Sequence, residues 1–207
     1  SSIMTLHDLL QAGADDAIAI AAPGRTALDY RGLRTLVATT TASLNAAGIG
    51  RNDRVAIVLP NGPEMATCFL ACASAVTSAP LNPAYRGDEF EFYLDDLQAK
   101  ALIVERASAS PAVEAAKKLG VQIIELAVAD GAAAGQFSLS AAAAAPCARG
   151  GPAQSEDVAM VLHTSGTTSR PKIVPLSQRN LCASARNIRQ TLRFVPGDCG
   201  LNIVPLF

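Results

Sequence analysis

The chain has 207 residues, half of them hydrophobic and 17% charged, with a formal net charge of −1. This balance suits a globular chain with ample material for a buried core. It excludes the basic footprint of a nucleic-acid binder, and apolar runs such as 69–76 fall far short of the ~20 residues that span a bilayer.

Two short strand-like runs, 17–21 and 26–30, flank Pro23-Gly24, which reads as a turn. Residues 31–47 then carry Leu33, Leu36, Val37, Leu44 and Ala47 near helical period, and Gly48 stops them. A strand at 54–59 ends at Pro60. Pro63 suits the first position of a helix running from 64 to about 76, apolar on nearly every face and so expected to be buried. After a short strand at 77–81, the stretch 88–98 places Phe90, Leu94 and Leu97 on one helical face, with acids early where the helix dipole favours them. Residues 101–105 read as a strand, 112–119 as a helix and 121–126 as a strand. Such alternation predicts an α/β fold, mostly parallel sheets flanked by helices.

The pattern stops near residue 127. From there to 154 the chain is Ala, Gly, Ser and Pro with little charge, including five alanines at 141–145. We expect an irregular connector holding at most one short helix. Beyond it lie an apolar run (158–162), a hydroxyl-rich stretch, Ile173-Val174, a helix from 177 to about 193 and a last apolar run at 201–204. Three segments are therefore expected: an N-terminal α/β subdomain (1–126), the connector (127–154), and a phosphate-loop segment opening a second, truncated α/β subdomain (155–207). The ending on Pro205-Leu206-Phe207, without a polar tail, suggests part of a larger protein.

Residues 163–172, His-Thr-Ser-Gly-Thr-Thr-Ser-Arg-Pro-Lys, carry the strongest functional signal. Hydroxyls and main-chain N–H groups can donate to phosphate oxygens, a glycine permits a tight turn, and Lys172 adds positive charge. The stretch is not a Walker A loop, because Lys172 follows Pro171 and precedes Ile173-Val174-Pro175, which favours strand over the required helix. No G-x-G-x-x-G follows a strand, so a Rossmann loop is also excluded. Composition alone leaves open a plain surface loop rich in small polar residues.

This stretch resembles the phosphate-binding signature of the adenylate-forming superfamily, whose usual form is [Ser/Thr]-Ser-Gly-Thr-Thr-Gly-x-Pro-Lys-Gly. The resemblance covers most of the chain and includes Asp53-Arg54-Val55-Ala56-Ile57, Pro60-Asn61, and Ala79-Pro80-Leu81-Asn82-Pro83 followed by Tyr85. Ser169-Arg170, His163 and Glu89-Phe90-Glu91-Phe92-Tyr93-Leu94 are most similar to the oxalate–CoA ligase branch. Ser169 and Ile173 replace usual glycines, and each added Cβ stiffens the backbone.

The resemblance implies part of the large N-terminal domain of an AMP-forming acyl-CoA synthetase. Such an enzyme uses ATP with magnesium to adenylate a carboxylic acid, then transfers the acyl group to coenzyme A. It implies that Thr164, Ser165, Gly166, Thr167, Thr168 and Lys172 hold the ATP phosphates, while the catalytic lysine, acyl pocket and magnesium contact lie beyond Phe207. No catalytic residue and no metal ligand is therefore assigned within the chain, and the chain alone is expected to be inactive. The implied partners are ATP, CoA and a short carboxylate, oxalate first, in the cytoplasm. Alternatives are malonate, a fatty acid or a hydroxycinnamate, or a noncatalytic nucleotide- or anion-binding module. The oligomeric state is not assigned.

Other features have simpler readings. Cysteines at 68, 72, 147, 182 and 199 show no metal spacing and read as reduced, mostly core thiols. Arg179, Arg186, Arg189 and Arg193 fall near one face of the expected last helix, either drawing the phosphates of ATP or CoA or simply forming a solvated face. His163 reads as ending a strand rather than touching substrate, and His7 as preceding an N-terminal helix. Asp88, Glu89, Glu91, Asp95 and Asp96 read as a solvated helix face.

Overall fold

The structure is a computed structural model that describes residues 3–142, 144–164, 170–187, 192–197 and 200–205, with side chains through residue 183. Helix α1 (Leu6–Gln11) is capped by Thr5, whose hydroxyl accepts from the Asp8 amide at 3.1 Å. His7 therefore lies inside this helix rather than before it. Strands β1 (Ile18–Ile20) and β2 (Leu28–Asp29) pair antiparallel around the Pro23-Gly24 turn. Asp29 then caps α2 (Tyr30–Ala46) by accepting from the Gly32 amide.

The alternating run follows as expected: β3 (Arg54–Val58), α3 (Pro63–Ala73), β4 (Thr77–Pro80), α4 (Gly87–Leu97), β5 (Ala101–Glu105), α5 (Pro111–Leu119) and β6 (Gln122–Ala127). Gly120 ends α5 at φ +70°, a left-handed position that a side chain would strain. The remaining elements are β7 (Ser138–Ser140), β8 (Val158–His163), β9 (Ile173–Ser177), α6 (Gln178–Asn187), β10 (Leu192–Gly197) and β11 (Gly200–Pro205).

Seven strands form one sheet in the order β7-β6-β5-β3-β4-β8-β9. The neighbours from β6 through β8 pair parallel, while β7 and β9 close the two edges antiparallel. Side chains alternate across the sheet. Val55, Ile57, Ala101, Ile103 and Ile124 pack with Leu44, Met65, Cys68 and Cys72 of α2 and α3. Ala56, Val58, Leu102 and Val104 pack with Phe90, Leu94 and Leu97 of α4 and with Ala112, Ala115 and Ala116 of α5. Both faces of β3 and β5 are dry, which is why these strands read as continuous apolar runs.

One expectation is filled in and another is corrected. Among its described residues the connector is largely irregular and supplies the edge strand β7. It is also tied down. Arg25 donates to the Ala132 and Ala133 carbonyls, Glu64 accepts from the Gly135 amide at 2.7 Å, and Ala153 N donates to Ser74 O at 2.9 Å. Gly50 fits beneath it because a Cβ there would lie 2.3 Å from the Arg149 oxygen. The last expected helix does not reach residue 193: its described part runs from Gln178 to Asn187, and Arg193 belongs to β10. The strand pairings also run through the expected segment boundaries, since β7, β8 and β9 share a sheet with β3–β6, whereas β10 and β11 form a separate antiparallel pair.

Among the described residues, no helix is long and apolar enough to cross a membrane. Cys68, Cys72 and Cys182 are buried and Cys147 is half-buried. Cys199 lies outside the described residues.

Candidate phosphate-loop site

Strand β8 reaches the sheet through Ala159, Met160 and Val161, all buried, and runs parallel to β4 with Met160 opposite Ser78. The stretch that follows β8 therefore leaves the carboxyl edge of the parallel strands, where open α/β sheets gather their ligands. The start of β8 is fixed by polar contacts. Asp157 accepts two hydrogen bonds from Arg51, at 2.7 and 3.1 Å, and one from Asn52 at 3.0 Å. The Arg51 guanidinium, with help from the Gln154 amide and Asn52, holds the Asp157 carboxyl down at about 2 against burial. Asn52 also accepts from the Val158 amide, and Thr77 donates to the Val158 carbonyl at 2.7 Å.

Strand β9 returns antiparallel, with His163 opposite Ile173 and Leu162 opposite Val174. The strand–loop–strand layout is thus present, and the Walker A arrangement is absent from it. Gln178, just past β9, is fully buried; its Oε1 accepts from Leu6 N and its own amide donates to Asp157 O. Ser177 accepts from the Asn180 amide at 3.1 Å and so turns the chain into α6.

The neck of the loop is closed by Thr164 and Lys172. The Thr164 amide donates to the Lys172 carbonyl at 2.9 Å, and the Lys172 amide donates to the Thr164 hydroxyl at 3.2 Å. The Thr164 hydroxyl is therefore committed to the neck, a use the sequence reading did not foresee. The Lys172 residue is exposed, and its ammonium has no ion-pair partner among the described residues. The other expected phosphate contacts, Ser165, Gly166, Thr167 and Thr168, lie outside the described residues together with Ser169.

Ile173 has a structural explanation. It belongs to β9 rather than to the loop, and its side chain packs against the cluster of α4, α5 and the sheet. A β-branched residue suits a strand, so the Cβ that replaces the usual glycine is accommodated there.

The sequence reading missed the contribution of α4. His163 Nε2 lies 3.1 Å from Asp96 Oδ2, and the histidine side chain is only 6% exposed. Its ring meets Tyr93 edge to face at 4.6 Å, and Tyr93 in turn stacks on Tyr85. On the far side of the neck, the Arg170 guanidinium sits 5.8 Å from the centre of the Phe92 ring, within cation–π range. Phe92 and Asp96 are four residues apart and share one face of the helix. His163 thus has the structural role expected of it. Asp96 does not belong to a purely solvated face, although Asp88 and Glu89 pair with Arg86 at the start of α4.

Of the four arginines expected on one helix face, one is described on the helix with its side chain and one lies off it. Arg179 is paired with Glu156 at 2.7 Å, and Arg193 is on a strand. Arg189 and the Arg186 side chain lie outside the described residues.

What this geometry offers is a neck, Thr164 and Lys172, at the carboxyl edge of a parallel sheet, with an exposed lysine whose charge suits an anionic ligand. Residues 10–207 match the model of the family described as AMP-binding enzyme. The chain belongs to that family. It is 38% identical over 197 residues to an oxalate–CoA ligase of Arabidopsis thaliana, covering 93% of this chain and 38% of that protein. An oxalate–CoA ligase of Saccharomyces cerevisiae is 35% identical over 222 residues, covering 93% of this chain and 41% of that protein. The ATP-bound crystal structure of MatB from Rhodopseudomonas palustris superposes with a TM-score of 0.68 at 25% identity, covering 89% of this chain and 37% of that one. The chain therefore spans about two-fifths of the length of the curated relatives it matches.

Proposed function

We propose that this chain is the N-terminal part of an ATP-dependent, AMP-forming acid–thiol ligase, and that it contributes the grip on the ATP phosphates. The observation that carries this reading is the β8–β9 hairpin, whose neck, closed by Thr164 and Lys172, lies at the carboxyl edge of the sheet with Lys172 exposed. In the proposed first step a carboxylate oxygen attacks the α-phosphorus of ATP. A new acyl–oxygen–phosphorus bond forms, the bond to the β-phosphate oxygen breaks, and pyrophosphate leaves. Donors already in place around the departing phosphates favour this step without reorganisation. In the second step the thiol of coenzyme A takes the acyl group, losing its proton, and AMP leaves.

Thr164, Ser165, Gly166, Thr167, Thr168 and Lys172 are the residues we assign to the phosphates. Thr164 acts chiefly by closing the neck, and Lys172 by its charge. Among the described residues, no three His, Cys, Asp or Glu side chains converge on one point. Magnesium accordingly enters this proposal with ATP, as part of the substrate, and no step is assigned to it. We further propose that β10–β11, paired outside the seven-stranded sheet, open the second subdomain.

Oxalate is the first substrate to test, because two relatives at 35–38% identity are named for it and each aligns across 93% of this chain. The other short acids rank behind it, and a cytoplasmic location fits soluble substrates of this kind. The test is acid-dependent exchange of labelled pyrophosphate into ATP by the full-length enzyme across a panel of carboxylic acids. Exchange that peaks with oxalate supports the reading. Exchange with a different acid corrects the substrate, and no exchange with any acid overturns the ligase. The 207-residue chain by itself is expected to give none.

A further inference from the structure

The contacts around the loop neck assign a role to α4 that the family match does not carry. We propose that Asp96 is a positioning residue for the phosphate loop, acting through His163 to fix where β8 releases the chain. This rests on the reading that the loop holds ATP phosphates.

The argument begins with what holds α4. Phe90, Leu94 and Leu97 are fully buried in the core. Glu91 pairs with Lys118 of α5 at 2.7 Å, and the Leu97 carbonyl accepts from Arg54 of β3 at 3.1 Å. The helix is thus fixed to the sheet and to its neighbour by apolar, ionic and hydrogen-bonded contacts. From this base its opposite face reaches the two ends of the loop. Asp96 and Tyr93 hold His163 at the entry, and Phe92 holds Arg170 at the exit.

The two strands cannot set the neck alone. β9 is an edge strand whose Val174 and Pro175 are exposed. Without the His163–Asp96 contact, the β8 end of the neck would keep the Tyr93 ring contact and the Thr164–Lys172 pair but lose its hydrogen bond to the helix. A loop that binds by preorganised donors loses affinity when its anchor shifts, even if every donor remains. Asp96 is well placed for this because its carboxylate is an acceptor that needs only the ring N–H of His163.

The test uses the full-length enzyme and two readouts, ATP binding by calorimetry and steady-state exchange kinetics. Asp96→Ala is expected to weaken ATP binding and to raise the KM for ATP roughly five- to tenfold, the scale of one partly buried hydrogen bond, while the KM for the acid stays unchanged. Asp96→Asn keeps an acceptor oxygen and is expected to restore most of the loss. His163→Gln should match Asp96→Ala, and the double variant should be no worse than either single one. Unchanged ATP binding in Asp96→Ala, or additive losses in the double variant, would overturn the inference. If Asp96→Ala does not fold, the Asn and Gln variants decide it alone: wild-type-like binding in the first with weakened binding in the second supports it, and any other pair contradicts it. Wild-type enzyme that binds ATP yet exchanges pyrophosphate with no acid would sink the ligase reading while leaving this one to the binding data.

Discussion

The central strands and the β8–β9 hairpin belong to one sheet but are held by different forces. In β3 and β5, residues 55–58 and 101–104 are buried on both faces and pack into two apolar clusters. Their stability comes from area removed from water, which is non-directional and spread over many contacts. The hairpin has one strand buried only at its centre, Ala159 to Val161, and one half-exposed edge. It is fixed at its root by Asp157, Asn52 and Gln178, and at its neck by Thr164, Lys172 and the His163–Asp96 contact. Few directional contacts set its place. The scaffold tolerates chemistry poorly but absorbs small shifts; the hairpin has an exposed surface but depends on geometry.

Ile57→Ala strikes the scaffold. Ile57 is fully buried between β3 and the α2–α3 layer, and the cavity left behind should cost about 3–4 kcal/mol. Chemical denaturation of the full-length enzyme would register that loss, and an effect below 1 kcal/mol would contradict the packing described. Asp157→Ala strikes the root of the hairpin. It strands Arg51, whose side chain is 17% exposed, and should cost about 2–3 kcal/mol.

The Asp157 contribution also depends on pH. Its carboxyl sits at about 2 in the fold, against 3.8 when unperturbed, so the unfolded chain takes up the proton first as pH falls. The pair's stabilisation, about 2 kcal/mol, is complete above about pH 5 and is lost as pH drops through 2. Acid denaturation of an Asp157→Asn variant should lack that component of the pH dependence.

Lys172→Ala separates function from stability. The residue is exposed, so stability should change by less than about 0.5 kcal/mol, while the KM for ATP should rise roughly tenfold through loss of a charged phosphate contact. Unchanged kinetics would remove Lys172 from the grip. Ile173→Gly frees the backbone at the neck and gives up part of a packed side chain. We expect about 1–2 kcal/mol of lost stability. A gain in stability would show that Ile173 is strained in β9.

Much of the scaffold was legible in the sequence because its signals are local. Apolar runs of strand length, Pro63 and Pro111 at helix starts, and Gly120 at a helix end each announce an element without reference to the rest of the chain. The candidate phosphate loop stands out in the sequence for a similar reason, since its hydroxyls, glycine and lysine are contiguous. The support of the loop does not. Asp96 and His163 are 67 residues apart, and an aspartate among other acids on a helix reads as a solvated face until the sheet brings α4 beside the end of β8. The connector's edge strand was not legible because alanine and glycine carry little pattern of their own. What orders it is a set of long-range contacts from Arg25, Glu64 and Ser74 that composition does not reveal. The expected helix reaches Arg193, which lies on β10, because its spaced arginines continue without a glycine or proline to stop them until Pro196.

The central claim is that this hairpin grips the phosphates of ATP in an acid–thiol ligase. Oxalate-dependent exchange of labelled pyrophosphate into ATP by the full-length enzyme, compared between wild type and Lys172→Ala, tests it most directly. The account predicts robust exchange in the wild type and an ATP requirement raised roughly tenfold in the variant. Absence of acid-dependent exchange in the wild type, or the same ATP dependence in both proteins, would contradict it.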